Sequence, residues 1–493
     1  RPVPGTEGGS GPFFSPDGRQ IGFWRPNSLM KVPVEGGAAI VVADSIGLGA
    51  FAAWTEDGSV VYTDAIARTL RLVSPDGATR EVLRSDTATF VGLSVLPGGR
   101  TVLTVTLSGG RNRTTLLAVS LRDGSVREVG LPNVAMAKYV APGYLVYQSR
   151  VGGPLQAAPF DPGQARLTGP ARAVAPAARI GFRVIPHWDV AGNGTIAYVK
   201  PEPFQVVLTD RSGRTTTLRE DARNYHHPRF SPDGRLIALD ITDPEARDLW
   251  MVDVRDRTLT RLTFGETAND PYWSPDGRHL AYSAARGAIR GIFLRNADGS
   301  GSPDSVLTDT HDRSSGVWSR DSRLLISSTT RMAGLDVVTL GQPGPARPIS
   351  GSRPTESHPG LSPDGRWLAY VSEEGGTPEV YVRAFPEAGG RRQISTGGGT
   401  EPVWARNGRE LFYREDGSAG SRLIAAAVRT SPDFEILSRT PLFDMSDYVA
   451  AEDHANYDVS ADGRFVMIRS PQASAIQLIQ NWPSQLRETR GAR

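Results

Sequence analysis

Large apolar side chains recur at every second position in short segments of this chain, and each such segment follows a turn. The clearest segments follow the pentapeptide SPDGR, which occurs at residues 15–19, 231–235, 274–278 and 362–366. After the last copy, Leu368 and Tyr370 flank Ala369. Because both phases of the period of two are apolar, the pattern predicts a strand that is buried on both faces.

The pentapeptide itself has the chemistry of a turn. Pro fixes φ at about −65° in the second position, and Gly accepts a left-handed backbone in the fourth. An apolar residue precedes each copy, so the turn stands between two strands. We interpret it as the corner of a β-hairpin rather than as a catalytic or binding motif.

Degenerate copies of the turn raise the number of repeats to eleven. The first residues of these turns are 15, 55, 96, 141, 191, 231, 274, 319, 362, 405 and 460, which gives spacings of 40 to 55 residues. One unit contains four strand signals, as in residues 271–308. Four strands in about 43 residues is the size of one β-propeller blade. No segment combines a 3.6-residue period with helix caps, so we expect no helix beyond a turn near 484–490.

The sequence therefore predicts an all-β protein of two tandem β-propellers with four-stranded antiparallel blades. Eleven blades exceed the usual four to eight of a single ring. The motif is more regular after residue 227, and the Pro-containing stretch KPEPF lies at 200–204. We expect residues 1–205 to form the first ring from repeats 1–5, and residues 206–493 to form a six-bladed second ring from repeats 6–11.

A propeller needs its last blade locked to its first, because an open ring leaves sheet edges unpaired. The N-terminal RPVPG (1–5) aligns with RLTFG (261–265), so we expect it to be an outer strand that closes a blade, most simply that of repeat 5. Repeat 11 ends after IQLIQNW (476–482), and we expect it to borrow TTTLRE (215–220) as its fourth strand. Alternatively, the upstream portion of a longer parent supplies a sixth blade to the first ring.

Composition excludes several classes of function. The chain has no cysteine, which excludes disulfide and thiolate chemistry, and its net charge of +2 gives no broad electrostatic case for binding nucleic acid. It has no run of 18 apolar residues and no signal peptide. Because it opens at Arg1 without Met, we expect a processed or excerpted part of a longer protein, with any membrane tether upstream.

A set of mainly polar residues lies four positions before each turn of the last six repeats, where the chain enters the innermost strand near the channel mouth. We call this set the axial ring: His227, Asp270, Ser315, His358, Glu401 and Asn456. It is our candidate site for a ligand, a metal or a peptide end. The alternative is a set of solvated strand starts around a water-filled tunnel. A ring spreads its side chains too far for zinc or calcium unless the channel is narrow, so we expect no metal and no cofactor.

Enzyme motifs are missing from the sequence. It has no GxSxG nucleophile elbow, no HExxH motif and no EF-hand loop. Paired-carboxylate catalysis needs two groups within about 5–10 Å, for which Asp270 and Glu401 are the candidates. Four tryptophans at blade-core positions are assigned to packing: Trp54, Trp273, Trp318 and Trp404.

The repeated turn with its flanks resembles the TolB-like family of β-propellers. Residues 1–24, 395–414 and 456–468, together with 476–482, resemble the propeller region that follows the kinase domain and membrane helix of bacterial receptor-like serine/threonine protein kinases. The chain contains no kinase: it lacks a glycine-rich loop followed by a strand Lys, a His-Arg-Asp loop and an Asp-Phe-Gly motif. The resemblance implies a sensor or interaction region on the periplasmic or extracellular side of a bacterial envelope.

We therefore predict a recognition or scaffolding module, not an enzyme, that binds a protein, peptide or envelope ligand. Two alternatives stay open. One is a structural subunit of a larger assembly, and the other is a hydrolase with its site in the second channel.

Overall fold

The computed structural model describes residues 3–483 except for 8, 26–27, 45–50, 65–67, 87, 109–113, 150–152, 179–186, 200–203, 243–245, 266, 287–288, 309–312, 330–333, 342–343, 350–355, 387–388, 418–419, 452–453 and 471–475. The described backbone is built of β-strands, and helical backbone is confined to Trp482 and Pro483. It contains no helix with the length and hydrophobicity of a membrane span. The turn predicted near 484–490 lies outside the described residues.

Contacts between residues divide the chain into two units, residues 1–201 with 474–493, and residues 202–473. We number the sheets 1–11 in the order of the repeats. Sheet 1 consists of β1 (Ser10–Phe14), β2 (Gln20–Arg25), β3 (Ser28–Pro33) and β4 (Ile40–Ala43), and sheet 2 of β5 (Ala52–Trp54), β6 (Val60–Asp64), β7 (Thr69–Val73) and β8 (Thr79–Arg84). Sheet 3 consists of β9 (Ala88–Val95), β10 (Thr101–Ser108), β11 (Thr114–Ser120) and β12 (Val126–Pro132). Sheet 4 consists of β13 (Val134–Val140), β14 (Tyr144–Ser149), β15 (Leu155–Asp161), β16 (Arg166–Leu167) and β17 (Arg172–Ala175).

The fifth sheet of the first unit joins distant parts of the chain. It consists of β18 (Trp188–Val190), β19 (Ile196–Val199) and, from the C-terminal end, β43 (Ile476–Ile479). Val199 is the cross-strand partner of Ile476, and the Trp482 that follows β43 is buried in the core of this sheet. The predicted boundaries of 1–205 and 206–493 are therefore wrong for the C-terminal segment, which belongs to the first unit because its strand completes sheet 5.

The second unit starts with β20 (Phe204–Thr209) and β21 (Thr215–Phe230), and β21 leads into sheet 6 with β22 (Leu236–Thr242), β23 (Arg247–Asp253) and β24 (Leu259–Arg261). Sheet 7 consists of β25 (Asn269–Trp273), β26 (His279–Arg286), β27 (Ile289–Asn296) and β28 (Asp304–Thr308). Sheet 8 consists of β29 (Arg313–Trp318), β30 (Leu324–Thr329), β31 (Leu335–Thr339) and β32 (Arg347–Pro348), and sheet 9 of β33 (Glu356–Leu361), β34 (Trp367–Ser372), β35 (Glu379–Ala384) and β36 (Arg392–Gln393). Sheet 10 consists of β37 (Thr400–Trp404), β38 (Glu410–Gly417), β39 (Gly420–Arg429) and β40 (Glu435–Asp444), and sheet 11 begins with β41 (Tyr457–Val459) and β42 (Phe465–Arg469).

The last sheet of the second unit is completed by the unit's own first strands. β20 pairs with β42 from Gln205 opposite Arg469 to Thr209 opposite Phe465, and β21 pairs on the other side of β20. As predicted, residues 215–220 provide the fourth strand of sheet 11. The third strand comes from β20 and not from residues 476–482, because those residues pair with β19. β21 thus serves sheet 11 with its first half and sheet 6 with its second half.

In the described part of the second unit, six apolar clusters lie between neighbouring sheets, one for each pair around the ring. Their members alternate between adjacent sheets, as when Val207 of sheet 11 packs with Phe412 of sheet 10, and Val466 of sheet 11 packs with Leu239 of sheet 6. The other four clusters join sheets 6 and 7, 7 and 8, 8 and 9, and 9 and 10. Because every sheet buries both faces, the second unit is a closed six-bladed β-propeller.

Among its described residues, the first unit shows four such clusters, which join sheets 1 to 5 in succession. The remaining face of sheet 1 packs against Val3. The predicted N-terminal strand of residues 1–5 is wrong as far as it is described: Val3, Pro4 and Gly5 form no strand, and Pro4 O accepts a hydrogen bond from Gly37 N at 3.2 Å. Residues 1–2 lie outside the described residues. Val3 packs on the apolar face of sheet 1, and this contact holds the N-terminal segment against the sheet.

The SPDGR turns are hairpin corners, as predicted from their sequence. At the second copy, Ser231 Oγ donates a hydrogen bond to Asp233 Oδ1 at 2.5 Å and accepts one from Leu236 N at 2.9 Å. Gly234 has φ = 72°, the left-handed conformation that favours glycine. The Ser231 hydroxyl is therefore satisfied within the turn itself.

Candidate functional site

Residues of the axial ring share an uncommon backbone conformation. His227, Asp270, His358 and Glu401 have φ between 52° and 55°, although left-handed backbone is unfavourable for residues with a Cβ. The strand pairing shifts register at each of these positions, which is the mark of a β-bulge. A bulge breaks the alternation of a strand and re-aims one side chain. This conformation places the ring residues in a polar layer instead of the inter-sheet cores.

The axial ring is buried. Exposure is 5% for His227, 3% for Asp270, 4% for His358, 0% for Glu401 and 3% for Asn456. The alternative of solvated strand starts around a water-filled tunnel is therefore wrong for these five residues. Ser315 lies in β29, and its side chain is outside the described part of the chain.

A segment between sheets 10 and 11 covers the ring. We call residues 449–451 and 454–456 the covering segment. Ala451 N and Asn456 N both donate hydrogen bonds to Glu401 Oε1, at 3.1 and 2.8 Å, and Ala451 O lies 3.4 Å from His358 Nε2. Asn456 Oδ1 accepts a hydrogen bond from His227 N at 2.8 Å. The segment is thus tied to three sheets, which explains the burial of the ring.

His227 is the centre of a charged cluster. Its Nδ1 lies 2.5 Å from Asp240 Oδ1 and 2.8 Å from Asp270 Oδ1, and Arg247 Nε donates to Asp240 Oδ2 at 2.6 Å. The covering segment adds His454, whose Nδ1 lies 3.6 Å from Asp270 Oδ1. The expectation that the ring separates its ligand-type side chains too widely is wrong for His227 and Asp270, since their bulges bring them into contact.

The two aspartates control the charge of this cluster. Burial lowers the pKa of His227, but the carboxylates of Asp240 and Asp270 more than offset this effect and raise the pKa to about 9. Burial raises the pKa of Asp240, but the charges of Arg247 and His227 outweigh it and hold that pKa below its usual range. Both effects follow from close opposite charges in a medium of low polarity. His227 is therefore protonated at neutral pH.

Glu401 has different surroundings from Asp270. Burial raises the pKa of Glu401 to about 7, against the opposing effect of Arg414 and of the two backbone N–H donors. Its Oε2 has no hydrogen-bond partner among the described residues. Asp270 contacts the imidazoles of His227 and His454, whereas Glu401 accepts hydrogen bonds from the backbone N–H groups of Ala451 and Asn456. The two carboxylates thus have separate partners, which gives no support to their use as a catalytic pair.

Sequence reasoning missed Asp240 and His454. Asp240 was detectable in principle, because it is a carboxylate inside the apolar run LIALDIT (236–242) and is fully buried there. His454 gives no comparable signal, since it lies in a segment without periodicity.

A cavity of about 330 Å³ lies on the axis of the second unit, next to the SPDGR turns. All six inner strands contribute to its lining, and Ala455 of the covering segment also lines it. Aromatic and proline side chains dominate this lining, with three guanidinium groups (Arg229, Arg320, Arg406) and one carboxylate (Asp458). Arg406 pairs with Asp458 at 2.9 Å, so positive charge is in excess.

Three tryptophans of the cavity wall connect neighbouring sheets. The indole Nε1 of Trp273, Trp318 and Trp404 donates to a backbone carbonyl of the preceding inner strand, at 3.0 to 3.1 Å. Trp318 and Trp404 are buried. Their assignment to packing agrees with these contacts, and the same contacts make the cavity wall rigid.

The sheets and the cores between them define a β-propeller protein. Residues 182–344, less than half of the chain, match the family described as the TolB beta propeller domain. A putative TolB from Agrobacterium tumefaciens is similar in structure, with 17% identity, a TM-score of 0.45, and coverage of 54% of this chain and 98% of that chain. TolB from Acinetobacter baumannii gives 15% identity, a TM-score of 0.39, and coverage of 69% and 80%. No curated protein matches the chain.

Proposed function

We propose that the chain is a non-catalytic recognition module that binds a protein or peptide segment bearing a carboxylate in the central cavity of its second unit. The observation that carries this proposal is the composition of the cavity. Pockets of about 300–1,000 Å³ with apolar walls and a few polar groups are typical of ligand sites. Here the guanidinium of Arg320 lies on an exposed turn at the rim, where it can meet an incoming anion.

The rigid wall supports recognition rather than packing alone. Each wall tryptophan is fixed by a hydrogen bond to the neighbouring sheet, so little side-chain freedom is lost when a ligand binds. Prolines of the SPDGR turns, such as Pro232, Pro275 and Pro363, line the same cavity. A preformed apolar wall beside positive charge fits the carboxylate end or an acidic side chain of a peptide.

We further propose that the module lies on the extracytoplasmic side of a bacterial envelope, where it serves as the sensor region of a membrane kinase. This location is supported by the three segments that resemble the propeller region of receptor-like kinases. A direct test is to express the parent protein with a C-terminal reporter that is active on one side of the membrane only. Activity on the cytoplasmic side would overturn the location.

The binding site can be tested with peptides. Titration of the purified chain with a library of short peptides, followed by tryptophan fluorescence, should find binders with a free carboxylate. Arg320→Ala should weaken the best binder about tenfold, roughly 1.4 kcal/mol. Arg323→Ala on the same turn is the control, since Arg323 does not line the cavity. Equal affinity for amidated peptides without acidic side chains would contradict the proposal that a carboxylate is recognised. The absence of any peptide binding would contradict the proposed binding site.

An activity assay tests the proposal that the chain is not an enzyme. Asp270 and Glu401 are buried under the covering segment, so a substrate has no access to them in this structure. The purified chain should hydrolyse ester, peptide and glycoside substrates no faster than the buffer does. Turnover that disappears in Asp270→Asn or Glu401→Gln would instead establish a hydrolase.

A further inference from the structure

We infer that His227, Asp270 and His454 form a binding site for a divalent transition metal, with Zn²⁺ as the best-fitting ion. The three residues come from the inner strand of sheet 6, the inner strand of sheet 7 and the covering segment. One ligand atom from each lies within 4.8 Å of the other two, and all three side chains are buried. The site does not depend on the peptide site proposed above, because no residue of this triad lines the cavity.

One of the two separations to Asp270 already has the value expected around a zinc ion, and the other must widen. Zinc bonds of about 2.0–2.2 Å to His and Asp place neighbouring ligand atoms roughly 3.3–3.6 Å apart in a tetrahedral site. The separation of His454 Nδ1 from Asp270 Oδ1 is 3.6 Å, and that of His227 Nδ1 from Asp270 Oδ1 is 2.8 Å. The two imidazole rings are nearly perpendicular at 82°, with centroids 3.6 Å apart.

The chemistry of the donors selects the class of metal. Two imidazole nitrogens and one carboxylate oxygen are a donor set that Zn²⁺ and its neighbours prefer, whereas Ca²⁺ and Mg²⁺ prefer oxygen alone. Three protein ligands leave a fourth position for water or another ligand.

The charge around the site also favours a cation. Arg247 pairs with Asp240, so Asp270 leaves one negative charge at the site once a bound ion has displaced the proton of His227. Asp240 is 0% exposed and stands directly beside His227. A second carboxylate next to the ligand set lowers the cost of holding a dication in a buried place.

An ion at this position would fasten the covering segment to the ring. His454 is the ligand that belongs to the segment, whereas His227 and Asp270 belong to the inner strands. Metal binding should therefore hold the segment over the axial ring and oppose its local opening.

Isothermal titration of the chelator-treated full chain with Zn²⁺ tests the site. We expect one ion per chain, and a loss of affinity of about 100-fold in each of Asp270→Asn and His454→Ala. His279→Ala is the control for adventitious binding by a histidine outside the cluster, and it should bind as the wild type does. Unchanged affinity in Asp270→Asn and His454→Ala, or no stoichiometric binding by the wild type, would overturn the proposal.

A second measurement keeps the test valid if the variants fail to fold. Hydrogen exchange of the wild-type chain with and without Zn²⁺ should show slower exchange of amides in the covering segment when the metal is present. Slower exchange elsewhere without any change in this segment would place the ion at another site and overturn the assignment.

Discussion

Four residues of the axial ring hold a left-handed backbone although none of them is glycine. The conformation costs an L-residue about 1–2 kcal/mol. In the second unit the cost is offset by contacts that only a polar side chain can make, such as that of His227 with Asp270. At corresponding positions of the first unit, Gly11 and Gly92 adopt the same conformation with φ of 56° and 64°. At these two positions glycine adopts the conformation without the cost that a Cβ brings.

Substitution of Gly92 tests this conformational constraint. Gly92→Val should lower the free energy of unfolding of the first unit by about 2 kcal/mol, because a β-branched residue is poorly accommodated at positive φ. Gly92→Asn should cost roughly half as much, since Asn tolerates this region better. Chemical denaturation gives the values. Gly192→Val is the control, as Gly192 has open space around its Cβ position and no positive φ; an equal loss there would contradict the argument.

Protonation of Glu401 should couple stability to pH. Its pKa of about 7 in the folded state lies above the unfolded value near 4.3, so the folded state binds the proton more tightly. The contribution of protonated Glu401 to the free energy of unfolding is fully present below about pH 4.3 and is lost as the pH rises through 7. Glu401→Gln keeps the acceptor oxygen and removes the charge. We expect it to stabilise the second unit by about 1–3 kcal/mol at pH 8 and by little at pH 5.

Thermal and denaturant melts at pH 5, 6.5 and 8 would measure this effect. The control is Glu128→Gln, because Glu128 is exposed. Arg414 and Asp416 are the other charges near Glu401 and are unchanged in the variant. A difference between Glu401→Gln and wild type that does not grow with pH would contradict the raised pKa.

At the scale of the element, an indole connects the inner strand of each of sheets 7, 8 and 10 to the inner strand of the preceding sheet. Trp404→Phe removes the hydrogen bond to Gly360 O, so the free energy of unfolding should fall by about 1–3 kcal/mol. Trp250→Phe is the matched control in the same unit, because Trp250 Nε1 has no hydrogen-bond partner among the described residues. Equal losses in the two variants would show that ring size, not the hydrogen bond, decides.

The elements that the sequence predicted correctly are those with a local signal. Alternation of apolar residues after each turn, as at Leu368 and Tyr370, depends only on neighbours in the chain, and it located the inner two strands of most blades. The pairing of β43 with β19 was missed because IQLI (476–479) carries no mark of which distant edge it joins. The covering segment was missed for a similar reason: its hydrogen bonds use backbone N–H groups, which every residue has.

For the candidate site, the sequence located the ring but not its surroundings. The common spacing before each turn found His227, Asp270 and Glu401 because a bulge recurs at a fixed distance from the hairpin corner. Burial depends on what covers the ring, and the cover comes from residues that follow sheet 10. No periodic pattern reports such a contact.

At the scale of the whole molecule, closure of the second unit depends on the pairing of β20 with β42. A disulfide between Gln205→Cys and Arg469→Cys would join cross-strand partners more than 260 residues apart in a chain that has no other cysteine. It should stabilise the second unit by about 2–5 kcal/mol, since a long closed loop restricts the unfolded chain most. Melting with and without reductant measures the gain.

The control for the disulfide between β20 and β42 is a second disulfide inside one sheet. His279→Cys with Asn296→Cys joins cross-strand partners of β26 and β27 through a short loop, so its effect should be smaller. Equal stabilisation by the two disulfides would show that the pairing of β20 with β42 has no special importance for the stability of the second unit.

The C-terminal strand of sheet 5 sets the order in which the protein can be completed during translation. β19 ends at Val199 and its partner β43 begins at Ile476, with the whole second unit encoded between them. At about 5–20 residues per second, a ribosome needs roughly 15–55 s to reach β43 after β19 has emerged. Every strand of the second propeller is synthesised in this interval. The nascent chain can thus finish its second ring first, while the edge of β19 waits for its partner.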